Sequence, residues 1–183
     1  MPQKASLSDS YLILDTGNAH HGFISVASKQ CVDSSGVGSA KKLLQPGDII
    51  ISRLRPYLRQ VAWVDSALTK HFGEQKFIIA ASTEFYVLRP PKEEESLAFL
   101  VPFLLSPNIQ VILAASQEGG HHPRFSEKTL LSLVIPERVL SQRVPLSACV
   151  ETAIKTARQS EIDIRKSIAT VRELFQGPEI NSK

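Results

Sequence analysis

The residues best suited to binding chemistry lie in one segment, between positions 47 and 64, where arginines and a tyrosine separate two apolar runs. Residues 49–51 and 61–64 have the β-branched and aromatic composition of strands, so the segment is predicted to be a hairpin. No carboxylate occurs between Asp48 and Asp65 to neutralise the basic side chains. Guanidiniums on a rigid hairpin suit contacts to phosphates or base edges, and the candidates are Arg53, Arg55, Tyr57 and Arg59.

The alternation of side chains along a strand predicts that Arg53 and Arg55 point to the same face of the hairpin. Pro56 fixes its own φ and favours an extended conformation for Arg55 before it. Tyr57 and Arg59 then lie at or beside the tip. Together these residues predict a basic hairpin tip that faces a ligand.

Two pairs of adjacent histidines suggest either metal binding or contacts to nucleic acid. Adjacent histidines are poorly placed to hold one ion together, and no cluster of carboxylates or cysteines accompanies them, so we predict no metal site. A metal-dependent enzyme that uses these histidines remains a less favoured alternative. We expect the loops to border a nucleic-acid face, since these side chains can bond to bases or phosphates. The candidates are Asn18, His20, His21, Lys41, Lys42, His121, His122 and Arg124.

Composition limits the class of protein without naming a ligand. The 183 residues carry 21 basic and 18 acidic side chains, and a net charge of +3 is too small to indicate nucleic acid by itself. Two cysteines without metal spacing, Cys31 and Cys149, fit a reducing compartment. No signal-peptide pattern and no apolar stretch long enough for a bilayer is visible, so we expect a cytoplasmic protein without a membrane partner.

The sequence contains none of the motifs that carry common catalytic chemistry. There is no glycine-rich phosphate loop, no HExxH zinc motif, no nucleophile elbow and no methyltransferase motif. We therefore expect a protein that is not an enzyme and that needs no cofactor.

The order of predicted elements places strands before helices. Strands are expected at residues 11–14, 22–26, 77–80, 84–88 and 133–135, besides the hairpin. Helices are expected at 96–105, 109–116 and 126–131, with Ser96 and Ser126 as N-caps. This order predicts an α+β fold with mixed, mainly antiparallel strands.

The last third of the chain predicts one long helix. Residues 147–176 contain no glycine or proline, and Gly177 and Pro178 end the pattern. Apolar residues recur at alternating steps of three and four, which is the seam of a coiled coil, so a partner helix is expected. The seam consists of Val150, Ile154, Ala157, Glu161, Ile164, Ile168, Val171 and Phe175.

Four motifs in this order resemble the target recognition domain of type I restriction–modification specificity (S) subunits. The first is the arginine-rich hairpin at 47–58, and the second is the strand and turn at 82–90. The third joins residues 103–106 to Gly119, Gly120 and the segment 123–126. The fourth is the segment 133–136, which leads through Gln142 to the long helix.

The resemblance implies a recognition domain at residues 1–140, a spacer and dimerisation helix at 141–177 and a tail at 178–183. Subunits of this family are not enzymes: they recognise a bipartite sequence in double-stranded DNA. They hold DNA methyltransferase subunits and, in the full complex, a restriction translocase subunit. The fold implied is an α+β recognition domain followed by one coiled-coil-type helix.

The usual S subunit has two recognition domains and two antiparallel helices, whereas this chain has one of each. It resembles half of a specificity subunit, so we expect a homodimer that pairs through the helix and reads an interrupted palindrome. The alternative is a protein-interaction module whose domain has lost DNA binding.

Overall fold

The structure, a computed structural model, describes residues 10–27, 29–72, 76–92, 95–120 and 122–176. The strands are β1 (Tyr11–Leu14), β2 (Ala19–His20), β3 (Phe23–Ile24), β4 (Lys41–Leu43), β5 (Ile49–Ser52), β6 (Val61–Trp63), β7 (Ile78–Ser82) and β8 (Phe85–Leu88). The helices are α1 (Leu100–Leu105), α2 (Pro107–Ala115), α3 (Glu127–Leu131), α4 (Glu137–Leu140) and α5 (Arg143–Gln176). Strands precede helices, and the predicted α+β class is confirmed.

An antiparallel sheet in the order β6–β5–β8 forms the middle of the fold. Its central strand β5 is apolar on both faces, which is typical of a strand that is covered on both sides. Ile49 and Ile51 belong to one core with α1 and α2, whereas Ile50 belongs to a second core with β1 and β7. The segment that follows β5 therefore extends from a strand that is fixed from both sides.

A second sheet has the order β1–β7–β4, with β1 parallel and β4 antiparallel to β7. The short pair β2–β3 forms a hairpin whose turn contains Gly22 at φ +94. A Cβ atom at this glycine would lie 2.9 Å from Val101 Cγ1, so a larger residue would not fit. The Gly22 amide donates to the Val61 carbonyl at 2.7 Å, which fixes this hairpin against β6.

Two of the shorter helices begin at residues that are favoured at a helix N-terminus. Pro107 begins α2 at a position where its missing amide costs nothing, and Ser126 caps α3 by accepting from the Thr129 amide at 3.1 Å. The prediction of a helix from Ser96 was wrong at its start. Ser96 accepts from the Ala98 amide at 3.2 Å in a local turn, and α1 begins at Leu100.

The predicted strand at 133–135 was also wrong. Leu133 and Ile135 pack against the first core, which explains their apolar character, but this segment forms no strand pairing with the rest of the described chain. Pro136 disfavours a helical conformation for the residue before it, and residues 133–136 belong to neither a helix nor a sheet.

The predicted long helix is present: it begins at Arg143, within the predicted bounds of 141–177 and four residues before the stretch without glycine or proline. The helix α5 has 34 residues, which corresponds to about 51 Å. Pro145 lies in its first turn, where proline is tolerated. Residues 177–183, which include the predicted tail, lie outside the described residues. No helix of the described chain combines the length and apolarity needed to cross a membrane.

Candidate nucleic-acid interface

The predicted hairpin is formed by β5 and β6, joined by a single 3-10 turn over Pro56–Leu58. Arg55, Tyr57 and Arg59 are exposed on this turn, and Tyr57 retains 66% of its accessible surface. No described residue forms an ion pair or a hydrogen bond with the guanidinium of Arg55 or Arg59. The turn therefore presents two guanidiniums and an aromatic ring to solvent from a fixed position.

The backbone of this region differs from the prediction. Arg55 is left-handed, at φ 46 and ψ 64, and β5 ends at Ser52, so the alternation of a strand does not relate Arg53 to Arg55. The turn closes within five residues, and Arg55 and Arg59 take left-handed conformations at its two ends. Compact turn geometry thus overrides the extended preference that Pro56 imposes on the residue before it.

Three non-glycine residues of the described chain have positive φ, and all three lie together. They are His21 at φ 48, Arg55 at φ 46 and Arg59 at φ 51. The His21 amide donates to the Arg59 carbonyl at 3.4 Å, which joins the β2–β3 turn to the arginine turn. The left-handed conformation costs a non-glycine residue about 1–2 kcal/mol. Concentration of such residues at one exposed place is typical of functional sites.

Arg53 belongs to a different arrangement from Arg55, because it binds a carboxylate. Its Nε donates to Glu84 Oε2 at 2.8 Å, and Arg124 donates to the same carboxylate from Nε at 3.0 Å and from Nη2 at 2.9 Å. The hydrogen bonds from Arg124 and then Arg53 lower the pKa of Glu84 from 4.5 to about 2. Glu84 therefore stays ionised at neutral pH and holds both guanidiniums in place.

Glu84 was not predicted as a partner of the arginines, because it is distant from Arg53 in the sequence. The expectation that the arginines lack an acidic neighbour holds along the chain, but Glu84 immediately precedes β8, and β8 pairs with β5 so that Phe85 is opposite Ser52. The Arg53 amide also donates to the Glu84 carbonyl at 2.9 Å. Prediction of the β5–β8 pairing would have revealed the contact.

The loop before α3 lies beside the same hairpin. The Phe125 amide donates to the Arg53 carbonyl at 3.1 Å, and Leu54 and Arg124 form an isolated β-bridge. Arg124 Nη1 also donates to the carbonyl of His122, whose side chain is exposed. His121 lies outside the described residues. Arg53 and Arg124 are joined through Glu84, and Arg55 and Arg59 lie at the two ends of the turn that follows Arg53. We call these four arginines the basic cluster: Arg53, Arg55, Arg59 and Arg124.

The remaining predicted residues differ in their relation to the basic cluster. His20 and His21 adjoin it, with ring centroids 4.5 Å apart and both side chains exposed. Asn18 forms local bonds instead, to the Asp15 amide and the Ser25 carbonyl. Lys41 donates to Ser39 at 2.6 Å. Lys42 donates to the Phe85 carbonyl at 2.6 Å and lies over the Tyr86 ring.

Within the described ranges, no group of three or more His, Cys, Asp or Glu side chains is arranged to hold a metal ion. His20, His21 and His122 therefore belong to no such group in the part of the chain that the structure describes.

The predicted helix seam divides into two halves with different surroundings. Ile154 is buried and Val150 half-buried against the first core of the same chain, so neither is available to a partner helix. Ala157 is exposed, and the neighbouring Arg158 takes the buried position instead. Glu161 is half-buried and accepts from Ser25. The later seam residues are exposed, at 63% for Ile164, 57% for Ile168, 50% for Val171 and 88% for Phe175.

Comparison with known proteins gives a likeness of fold. The chain is similar to a chain from a solved structure described as "Structural basis underlying complex assembly and conformational transition of the type I R-M system", with a TM-score of 0.59 and 20% sequence identity. The match covers 97% of this chain and 45% of that one, so this chain spans about half of the other's length. No protein-family model and no curated protein matches the sequence.

Proposed function

We propose that this protein is a non-catalytic DNA specificity subunit of a type I restriction–modification system, in a half-length form. It binds duplex DNA through the basic cluster and positions DNA methyltransferase subunits and, in the full complex, a restriction translocase subunit. The observation that carries the proposal is the exposed turn of Arg55, Tyr57 and Arg59 beside the arginine pair on Glu84. The likeness in fold to a chain of a type I R-M system supports it.

The charge and geometry of the basic cluster suit DNA. Arg53 and Arg124 share the carboxylate of Glu84, and Arg55 and Arg59 add two further positive charges, so these four arginines carry an excess of positive charge. Arginine presents a planar fork of donors that matches phosphate oxygens and the O6 and N7 acceptors of guanine. The contacts on Glu84 reduce the freedom of Arg53 and Arg124, which lowers the entropy lost when they bind a ligand.

We also propose that the exposed end of α5 packs against the same helix of a second copy of the chain. Residues 164 and 175 are equally distant from a point between residues 169 and 170, and so are residues 168 and 171. In an antiparallel pair, Ile164 would meet the partner's Phe175 and Ile168 would meet the partner's Val171. Such a self-complementary contact is what a two-fold axis requires.

The partners beyond DNA follow from the same family assignment. Methyltransferase binding is supported by the resemblance in sequence and by the likeness in fold, and it is tested by co-expression with a methyltransferase subunit encoded nearby. A complex that survives gel filtration in high salt is the expected result.

The decisive experiment measures binding to a random-sequence duplex over a range of salt concentrations. Release of counterions makes the logarithm of the binding constant fall linearly with the logarithm of the salt concentration. The slope is about −0.9 for each phosphate neutralised. The double variant Arg55→Ala/Arg59→Ala should weaken binding and reduce the slope by about two. Arg138→Ala, which removes an exposed arginine from α4, should leave the slope unchanged.

Binding that does not respond to salt, or a double variant that binds like the wild type, would refute the proposal. That outcome would favour the protein-interaction module, because the exposed apolar end of α5 would then be the main binding surface.

A further inference from the structure

Arg158 is a charged residue of α5 with no exposed surface. Its Nη2 donates to the Ile24 carbonyl at 2.6 Å and to Asp65 Oδ2 at 3.0 Å, and its Nη1 donates to the Glu161 carboxylate. Asp65 is also completely buried. One guanidinium thus connects the helix to the end of β3 and to the segment that follows β6.

Two further contacts complete this arrangement. The guanidinium carbon of Arg158 lies 4.2 Å from the centroid of the Phe23 ring, which is a cation–π distance. Glu161 accepts from Ser25 Oγ at 3.1 Å and from the Val26 amide at 3.3 Å. We call this set the clasp: Phe23, Ile24, Asp65, Arg158 and Glu161.

Stability alone does not account for a clasp of this kind. Desolvation of buried charges offsets much of their attraction, and well-packed apolar residues often stabilise a fold equally well. Directional, charge-assisted hydrogen bonds instead select one geometry among several that would pack. The clasp contains the last fully buried side chain of α5 in the described chain; beyond it, Arg165 lies over the Phe72 ring at 5.7 Å, and the seam residues from Ile164 onward are exposed.

We propose that Arg158 is a positioning residue that fixes the orientation of α5 relative to the recognition domain and thereby sets the separation of two DNA half-sites. The second part of this inference rests on the proposed function. The helix extends 15 residues beyond Glu161, which is about 22 Å. A tilt of about 10° at the clasp would move its end by about 4 Å, close to the rise of one base pair.

The orientation is tested by a distance measurement that needs no DNA. Spin labels are placed at Ala40→Cys and Ser167→Cys after Cys31 and Cys149 are replaced by serine, and labelled protein is mixed into an excess of unlabelled protein. The wild type should give one narrow distance distribution. Arg158→Met/Asp65→Asn, which leaves no unpaired charge on Asp65, should give a broad one.

The spacing is tested by selecting duplexes from a randomised library. The wild type should select one spacer length between its half-sites, whereas Arg158→Met/Asp65→Asn should select several lengths with the same half-site sequence. Glu161→Gln, which removes one charge and keeps the packing, should broaden both readouts to a smaller degree. Lys155→Met removes an exposed cation from the same helix and should change neither.

A merely structural role would lower the melting temperature of the double variant while the distance distribution stays narrow and the spacer length stays single. That result would overturn the inference. If the wild type selects no duplex at all, the proposed DNA-reading function fails, and the distance measurement still decides whether Arg158 orients the helix.

Discussion

The basic cluster contains two arginines that form ion pairs with a carboxylate and two that do not. Arg53 and Arg124 share Glu84, which is only 22% exposed and fixes where their donors point. Arg55 and Arg59 are exposed and have no charged partner within the described chain. We infer that the first pair presents a preset pattern of donors and that the second pair supplies most of the attraction to phosphates.

The ionisation of Glu84 should be visible in the pH dependence of stability. Its pKa is about 2 in the folded protein and near 4.5 when its partners are lost, so the folded state binds this proton more weakly. The stabilisation is complete well above pH 4.5 and is lost as the pH falls towards 2. Glu84→Gln should therefore lower the free energy of unfolding by about 1–3 kcal/mol at pH 7.

The check is urea unfolding of both proteins between pH 7 and pH 2.5. The difference in unfolding free energy between wild type and Glu84→Gln should shrink as the pH falls, because the wild-type carboxyl becomes protonated. A difference that stays constant across this range would contradict the assigned ion pairs.

The left-handed conformation of Arg59 allows its backbone and its charge to be tested separately. Arg59→Gly removes the guanidinium and relieves the positive φ, whereas Arg59→Ala removes the guanidinium and keeps the strain. Arg59→Gly should be more stable than Arg59→Ala by about 0.5–1 kcal/mol.

The two variants should lose the same affinity for a random duplex, since both lack the charge. Denaturant unfolding and fluorescence anisotropy measure the two quantities. Unequal losses of affinity would mean that the backbone of the turn, and not the guanidinium, forms the contact.

At the scale of elements, the sequence patterns predicted individual strands and helices better than they predicted the contacts between them. The period of apolar residues predicted α5, and the β-branched runs predicted β5 and β6. The period of apolar residues did not reveal at which residue of α5 the packed cores stop covering the helix, because that depends on β3 and on Asp65. The burial of Arg158 was not predicted for the same reason, because its buried partners are distant in sequence. The predicted seam contained its neighbour Ala157 instead.

The exposed end of α5 predicts how the chain associates. Ile168→Asp places a charge at the centre of the apolar face, 57% exposed in the single chain, so it should abolish dimers without changing the melting temperature of the monomer. Ser167→Asp adds the same charge next to this face and should leave the dimer intact.

Sedimentation velocity at micromolar concentrations measures whether the wild type and the two variants are monomers or dimers. Wild-type protein that sediments as a monomer throughout the micromolar range would contradict the pairing. If Ser167→Asp also dissociates the dimer, electrostatic repulsion rather than loss of the apolar contact would explain the effect.

At the scale of the whole molecule, the strands and shorter helices form a packed domain, and α5 extends from it with its later seam residues exposed. The cluster that would read DNA follows β5, whose two faces are buried, and the clasp holds the first half of α5 against the same domain. With a two-fold axis between residues 169 and 170, the Arg158 residues of two copies would be about 35 Å apart along the helices. The separation of the two recognition domains would then depend directly on the length of helix beyond the clasp.

A change in helix length should therefore change the spacing of the DNA half-sites. Insertion of seven helix-forming residues between Ile162 and Asp163 adds two turns and keeps the apolar face nearly in phase. Each domain would move about 10 Å from the two-fold axis, so the pair would separate by about 21 Å. The wild-type spacer should therefore no longer be preferred; the new spacer is set by this separation together with the turn of the duplex, one turn in about 10 base pairs.

Selection from a library of duplexes with variable spacers measures this shift. The half-site sequence should stay the same, because the basic cluster is untouched by the insertion. A four-residue insertion at the same place is the matched control, since it rotates the apolar face by about 40° and should weaken the dimer as well as change the spacing. An unchanged spacer in a dimeric seven-residue variant would mean that α5 does not set the distance between the domains.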